Sequence, residues 1–235
     1  MEYKGKLIVF EGLDGSGKST QTKMLAGYLE KGGFEVVKVD FPQHGEPSCG
    51  LVDEYLRGKY GTAEQVGPYI ASIFYAVDRY DASFKMKGWL KEGKILVVDR
   101  YLGSNIGHQG SKIKDKGERL KFIKWLYNLE YGLFKIPKPT ATIFLKTDPS
   151  FSLKLANKIT DQEKKERRRA YLGDETVQDI HEKDKSHLSN ALGAYLQAIE
   201  EFPDDFKVVE CLDGGRLISP QEVHQKVIKI IEKIV

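Results

Sequence analysis

The residues Gly12-Leu13-Asp14-Gly15-Ser16-Gly17-Lys18-Ser19-Thr20 hold the chemical types that a polyphosphate needs. The spacing G-x-x-x-x-G-K-[ST] is that of a phosphate-cradling loop, or P-loop. Its glycines let backbone N–H groups turn inward without Cβ clashes. A helix starting near Lys18 would aim the positive end of its dipole at the same phosphates. Lys18 has the reach for the β- and γ-phosphates, and the Ser19 hydroxyl can ligate Mg²⁺. The motif stands between an apolar run, Leu7-Ile8-Val9-Phe10, and a helical pattern, which is the context it requires. The alternative is a glycine-rich turn that binds nothing.

A P-loop alone indicates only a nucleoside triphosphate. Arginine adds a second layer, because guanidinium forks match phosphate oxygens two at a time. Arg79 falls in the middle of a helical pattern and Arg100 directly follows an apolar strand pattern. Together with Lys18 they suggest a second phosphate group facing the triphosphate; for Arg79 the alternative is a surface ion pair. Asp99, at the end of the same strand, suits a Mg²⁺ carboxylate or a simple turn former. Tyr75 precedes Arg79 by four residues and shares its helix face, as a base-stacking ring or a core tyrosine. The run Lys164-Lys165-Glu166-Arg167-Arg168-Arg169 reads as a solvated helix face or as a basic lid closing over transferring phosphates.

These residues need a scaffold, and the hydrophobic pattern supplies one. Strands are expected at Lys6 to Phe10, Phe34 to Phe41, Ile95 to Val98, Ala141 to Leu145 and Phe206 to Val209. Helices are expected at about Lys18 to Lys31, Ser48 to Leu56, Thr62 or Gly67 to Lys91, Glu118 to Leu133, from Asp148 onward, Thr176 to Glu201 and Pro220 to Ile234. Strands alternating with helices predict a three-layer α/β/α fold. Its central parallel sheet has about five strands, and a helical lid is added. Ligands of such sheets bind at the carboxyl ends of the strands, where the motifs converge.

The 235 residues suffice for a sizeable core, with 40% apolar and 30% charged residues. A net charge of +3 is too small to argue for nucleic acid. No apolar run approaches the roughly 20 residues of a membrane span. Met1-Glu2-Tyr3-Lys4 leads straight into a strand, which predicts no signal peptide. Cys49 and Cys211 fit no metal-ligand spacing and read as free thiols in a reducing compartment, so a cytoplasmic location is expected.

Taken together, the chain resembles the thymidylate kinases over nearly its whole length. The resemblance rests on Phe10-Glu11-Gly12 through Thr20, on Phe41-Pro42 with Val52-Asp53-Glu54-Tyr55-Leu56, and on Asp78-Arg79. It continues through Asp99-Arg100-Tyr101 with Ser104-Asn105 and Gln109-Gly110, and Asp179-Ile180-His181-Glu182. It implies one P-loop kinase domain over 1–235 with a lid at about 158–176. The implied reaction transfers the ATP γ-phosphoryl group to dTMP with Mg²⁺ in a cytoplasmic homodimer, without nucleic acid or membrane partners. It further implies that Asp14 sits near the acceptor sugar and phosphate, that Arg79 and Arg100 grip the acceptor phosphate, and that Phe41 and Pro42 wall the thymine pocket. Asn105 and Gln109 would face the base edge, Tyr75 would stack on it where relatives carry Phe, and His108 would stand where an aromatic disfavours ribose. His44 would lie near the acceptor phosphate. Lys18, Arg100, Asp14 and the lid residues Arg167, Arg168 and Arg169 would carry catalysis, and Ser19, Asp99 and Glu182 would serve the metal.

Two rival readings stay open. A deoxynucleoside kinase would need a carboxylate base where Phe41-Pro42 stands. A non-enzymatic P-loop protein would bind ATP without consuming it. A guanine switch is disfavoured because Asn157-Lys158-Ile159-Thr160 lacks the closing Asp of a base-reading motif.

Overall fold

Because Leu7, Ile8, Val9 and Phe10 are apolar without a break, β1 (Lys6–Gly12) must lie where both of its faces are covered. It does so in the computed structural model, which describes residues 3–158 and 185–235. β1 is the middle strand of a five-stranded parallel sheet, with β2 (Val36–Asp40), β3 (Ile95–Asp99), β4 (Ala141–Lys146) and β5 (Phe206–Glu210) in the order β2-β3-β1-β4-β5. The register sets Phe10 beside Asp99 and Gly12 beside Leu145, so three strand ends meet at one edge.

Helices cover both faces. α1 (Lys18–Lys31) and α8 (Pro220–Ile231) lie over Ile8 and Phe10. The other face, bearing Leu7 and Val9, takes α3 (Ala63–Lys91), α4 (Leu102–Gly110), α5 (Lys116–Tyr127) and α7 (Lys185–Glu201). The remaining helices are α2 (Gly50–Leu56) and α6 (Pro149–Lys158). The three-layer α/β/α fold expected from the sequence is therefore the one observed.

The details differ where local chemistry competes. Both foreseen starts of α3 are used: Thr62 forms a capping box with Gln65, and Gly67, at φ 73°, kinks the helix ahead of Pro68. Ser48 does not cap α2; it lies in a 3₁₀ turn, Pro47–Cys49, and its hydroxyl donates to Asp78 Oδ1 at 3.0 Å. The single helix expected over Glu118 to Leu133 is α5 followed by a π-helical turn, Asn128–Leu133. After β5 a small antiparallel hairpin, β6 (Leu212–Asp213) and β7 (Arg216–Leu217), turns at Gly214-Gly215. The expected lid falls almost wholly outside the described residues, as does the first part of the helix foreseen over Thr176 to Glu201.

Helix α4 was not expected at all. Its glycines lower helix propensity, and tertiary contact overrides that. A Cβ on Gly107 would fall 2.2 Å from Tyr195 Cε2 of α7, and one on Gly103 would fall 2.9 Å from Glu11 Cδ. The two bare positions, one turn apart, let α4 lie against α7 and over the end of β1. Gly107→Ala should therefore cost about 1–3 kcal/mol of stability by overpacking. Thermal unfolding should show this as a fall of several degrees, at about 2–4 °C per kcal/mol for a chain of this size. An unchanged melting temperature would contradict the described α4–α7 contact.

Candidate active site

The phosphate loop is shaped by two backbone requirements. Gly12 has φ 148°, and a Cβ there would meet Ser16 Oγ at 2.7 Å and the Leu145 carbonyl at 2.8 Å. Gly17 caps α1 in the left-handed region at φ 91°, which turns the first helical N–H groups toward the loop. Lys18, the first residue of that helix, is 5% exposed, and its ammonium donates to the carbonyls of Gly12 and Leu13, both at 2.9 Å. Burial and the neighbouring Arg100 cation lower its pKa to about 8, against the opposing pull of Asp14 and Asp99.

Arg100 lies directly past β3 in the left-handed region, at φ 69°, a backbone state uncommon for any residue but glycine. Its N–H donates to the Phe10 carbonyl at 3.0 Å, which fixes the turn across the β1–β3 pair. Its guanidinium donates through Nη2 to Asp14 Oδ1. The Nη1 atom lies 3.1 Å from His108 Nε2, and His108 lies 3.9 Å from Asp14 Oδ2. Burial works against both charges, yet the pair holds: Asp14 and Asp99 keep Arg100 firmly protonated. Arg100, His108 and Lys18 in turn hold the Asp14 carboxyl well below its ordinary range. Three sequence-predicted residues, Asp14, Arg100 and His108, thus form one charged group beside Lys18.

The metal residues fit a hard divalent cation. Asp99 Oδ1 is buried and has no hydrogen-bond partner among the described residues, while the Asp99 charge is felt at Lys18 and Arg100. Ser19 is exposed in the first turn of α1. An orphaned carboxylate oxygen and an exposed hydroxyl at a P-loop are the oxygen donors that Mg²⁺ takes. Glu182 and Arg167, Arg168 and Arg169 lie outside the described residues.

The residues expected to meet the nucleoside lie on α3, on α4 and just past β2. Tyr75 is half-buried and meets Tyr55 edge-on, with ring centroids 6.4 Å apart. Phe41 packs against Tyr101 at 5.7 Å, and the peptide bond between Phe41 and Pro42 is cis. Asn105 and Gln109 are both buried: Asn105 Nδ2 donates to the Ser72 carbonyl at 3.1 Å, and Gln109 Oε1 accepts from Lys112 Nζ at 2.7 Å.

Arg79 departs from expectation. It is not a surface ion pair but a buried one. Its Nε and Nη2 donate to the two carboxylate oxygens of Glu130 at 2.6 and 2.7 Å, with Arg79 2% and Glu130 0% exposed. A phosphate there would have to compete with a carboxylate already in place. Asn105 Nδ2 lies 3.5 Å from the same carboxylate. Glu130 comes from the π-helical turn, 51 residues on, and no sequence spacing announced it.

Glu11 is the other residue that sequence reasoning left without a role. Fully buried at the end of β1, it accepts from the N–H of Tyr101 at 2.7 Å and of Ser104 at 2.9 Å. It also accepts from the Ser104 hydroxyl at 2.8 Å and the Tyr195 hydroxyl at 3.0 Å. Burial pushes its carboxyl pKa up, and these donors pull it back. The signal available was a carboxylate closing an otherwise apolar strand.

Comparisons with known proteins agree with this build. The family model described as thymidylate kinase matches residues 10–198. The thymidylate kinase of Thermoanaerobacter sp. (strain X514) is 27% identical over 232 residues, 98% of each chain. That of Mycobacterium tuberculosis (strain H37Rv) is 27% identical over 140 residues, a span of 59% of this chain and 64% of the relative. The chain thus spans less than two thirds of the length of that relative. A solved structure of thymidylate kinase from Candida albicans superposes with a TM-score of 0.72 at 25% identity, covering 99% of this chain and 93% of the other. The family match takes in the phosphate loop, the Asp99-Arg100 strand end and all of α4, and the chain belongs to the thymidylate kinase family.

Proposed function

We propose that this chain transfers the γ-phosphoryl group of ATP to dTMP, giving dTDP and ADP, as a cytoplasmic step toward dTTP. The observation that carries the reading is the Asp14–Arg100–His108 group standing beside Lys18 at the phosphate loop. A loop for one polyphosphate and a paired guanidinium next to it suit a donor and an acceptor that both bear phosphate. The acceptor phosphate is already ionised, so the reaction needs no strong general base. What it needs is alignment and neutralisation of charge.

In this reading Arg100 donates to the acceptor phosphate while Asp14 holds its fork in place and lies near the acceptor sugar. Lys18 exchanges the carbonyls of Gly12 and Leu13 for the β- and γ-phosphate oxygens, with the loop Gly12 to Thr20 wrapping the ATP phosphates. Mg²⁺, which thymidylate kinases use with ATP, neutralises charge on the transferring group when bound; Asp99 and Ser19, with Glu182, are the residues here that would hold it. Tyr75 stacks on thymine, Phe41 and Pro42 wall the pocket, and Asn105, His108 and Gln109 face the nucleoside. Arg79 joins Arg100 at the acceptor phosphate, sharing with it a guanidinium that Glu130 holds in place beside Asn105. A lid at about 158–176 brings Arg167, Arg168 or Arg169 over the phosphates. The chain acts as one kinase domain, and its homodimer contact uses the exposed apolar side chains Tyr80, Phe84 and Leu133, of which Leu133 is 70% exposed. Among the described residues no helix is long and apolar enough to cross a membrane.

Coupled ADP-release assays with Mg²⁺·ATP and dTMP, dUMP, UMP, AMP or thymidine as acceptor test the reading. The highest kcat/KM should fall to dTMP; preference for thymidine would mean that no acceptor phosphate site exists at Arg100. Lys18→Ala and Arg100→Ala should each lower kcat by about 10²–10³-fold, or about 3–4 kcal/mol, with the circular dichroism of the fold retained. Near-normal turnover by either would remove it from catalysis. The pH profile follows from Lys18, which works charged. Since its pKa is lowered to about 8, kcat/KM for ATP should be flat below that value and fall as pH rises through it. Bound triphosphate favours the ammonium form, so the corresponding fall in kcat should come at higher pH. A kcat/KM that stays level to pH 10 would show that Lys18 does not titrate in this range.

A further inference from the structure

Both cysteines read from the sequence as free thiols, and both are free and buried in the structure, but Cys49 has neighbours that the sequence spacing does not announce. Cys49 Sγ lies 3.8 Å from His44 Nδ1 and 3.7 Å from Asp53 Oδ1, and His44 Nδ1 lies 2.5 Å from the same Asp53 oxygen. The three atoms come from one short stretch. A turn closed by the His44 N–H on the Pro42 carbonyl delivers the imidazole, and Cys49 and Asp53 stand one helical turn apart at the start of α2. The pattern is H-x₄-C-x₃-D, which a search for paired cysteines passes over.

We propose that His44 Nδ1, Cys49 Sγ and Asp53 Oδ1 form a binding site for a borderline-soft divalent cation of the Zn²⁺ type. Tetrahedral zinc with bonds of about 2.0 Å to N and O and about 2.3 Å to S sets its ligand atoms about 3.3–3.6 Å apart. Two of the three separations here come within a few tenths of an ångström of that range. The third is the His44–Asp53 hydrogen bond, which the cation replaces as the two side chains part by about 1 Å. Both belong to partly exposed residues, 21% and 14%, so they can rotate, while Cys49 is fixed at 0%. On binding, the thiol gives up its proton to solvent, and the imidazole binds through Nδ1 with its remaining proton on Nε2. The fourth position takes water.

The surroundings favour a cation. Asp78 accepts from the Gln43 N–H at 2.9 Å and the Ser48 hydroxyl at 3.0 Å on the same stretch, and its charge, with that of Asp53, reaches the thiol. Burial first, then those two carboxylates, raise the pKa of the Cys49 thiol, so the sulfur stays a protonated, unreactive group until a cation offsets them. A mixed N, S and O donor set selects zinc-like ions over Mg²⁺, which takes oxygen. The site thus differs in kind from the oxygen donors at the phosphate loop.

Co²⁺ titration of the purified, reduced protein tests the site directly, because a thiolate on Co²⁺ gives a charge-transfer absorption and tetrahedral Co²⁺ gives intense visible bands. One equivalent should bind with both signatures, and Zn²⁺ should displace it. Cys49→Ser should abolish the charge-transfer band, Cys211→Ser should keep it, and His44→Ala and Asp53→Asn should each weaken binding at least about tenfold. If Cys49→Ser fails to fold, as judged by thermal unfolding, His44→Ala and Asp53→Asn on their own decide the matter. Absence of the thiolate band, or its loss in Cys211→Ser, overturns the proposal, as does affinity unchanged in both His44→Ala and Asp53→Asn. The measurement requires no turnover, so its outcome is independent of which acceptor the phosphate loop serves.

Discussion

A carboxylate sealed inside an apolar core is costly unless every lone pair is met, and Glu11 is sealed at the end of the central strand. The chain meets that demand with the first N–H groups of α4, the Ser104 hydroxyl and the Tyr195 hydroxyl. The consequences are architectural. α4 has to begin at the end of β1, which places it over the sheet edge where ligands bind. Tyr101 is held by its backbone, so the residue before it must turn sharply, and that residue is Arg100, in its left-handed conformation. α7 must come close enough for Tyr195 to reach, which only the bare Gly107 allows. One buried charge therefore joins a strand, two helices and the strained arginine of the cleft.

The cleft separates two kinds of arginine. Arg100 is held by a carboxylate that is itself part of the cleft, and the pair is partly open to solvent, with Arg100 27% and Asp14 37% exposed. Such a pair can accept a phosphate by sharing the guanidinium. Arg79 is buried with Glu130, where removing either partner would strand an uncompensated charge. The first pair is partly open to solvent and the second is sealed, a difference that comes from their surroundings rather than from residue type.

Much of this was legible in the sequence because it is local. The phosphate loop, α1 and the unbroken apolar strands are each read from a few neighbouring residues, and the five-strand parallel sheet follows from their alternation. Arg100 and Asp99 were found because they stand just past such a strand. What was not legible depends on partners far along the chain. Glu130 reaches Arg79 across 51 residues, from a turn whose π-helical winding has no simple periodic signature. α4 was not foreseen because its three glycines give it little helical signal, whereas Gly107 makes room for Tyr195 of α7 and Gly103 for Glu11 of β1. The Cys49 cluster draws three ligand types from one stretch, so counting cysteines could not expose it. The expected lid arginines and Glu182 lie outside the described residues.

The strand order carries a consequence for how the chain reaches its fold. β1 is made first, yet it pairs with β3 and β4, whose first partners are Lys6 with Ile95 and Ile8 with Ala141. The chain must therefore extend past Ala141 before the strand beneath the phosphate loop has both neighbours. Parallel pairings of such long range close large loops before they return any contact energy, which slows folding and leaves apolar strand edges unpaired meanwhile. The loop can be complete in sequence while still lacking the floor that shapes it. In a growing chain, the ability to hold a nucleotide should therefore arrive late and abruptly, with the emergence of β4.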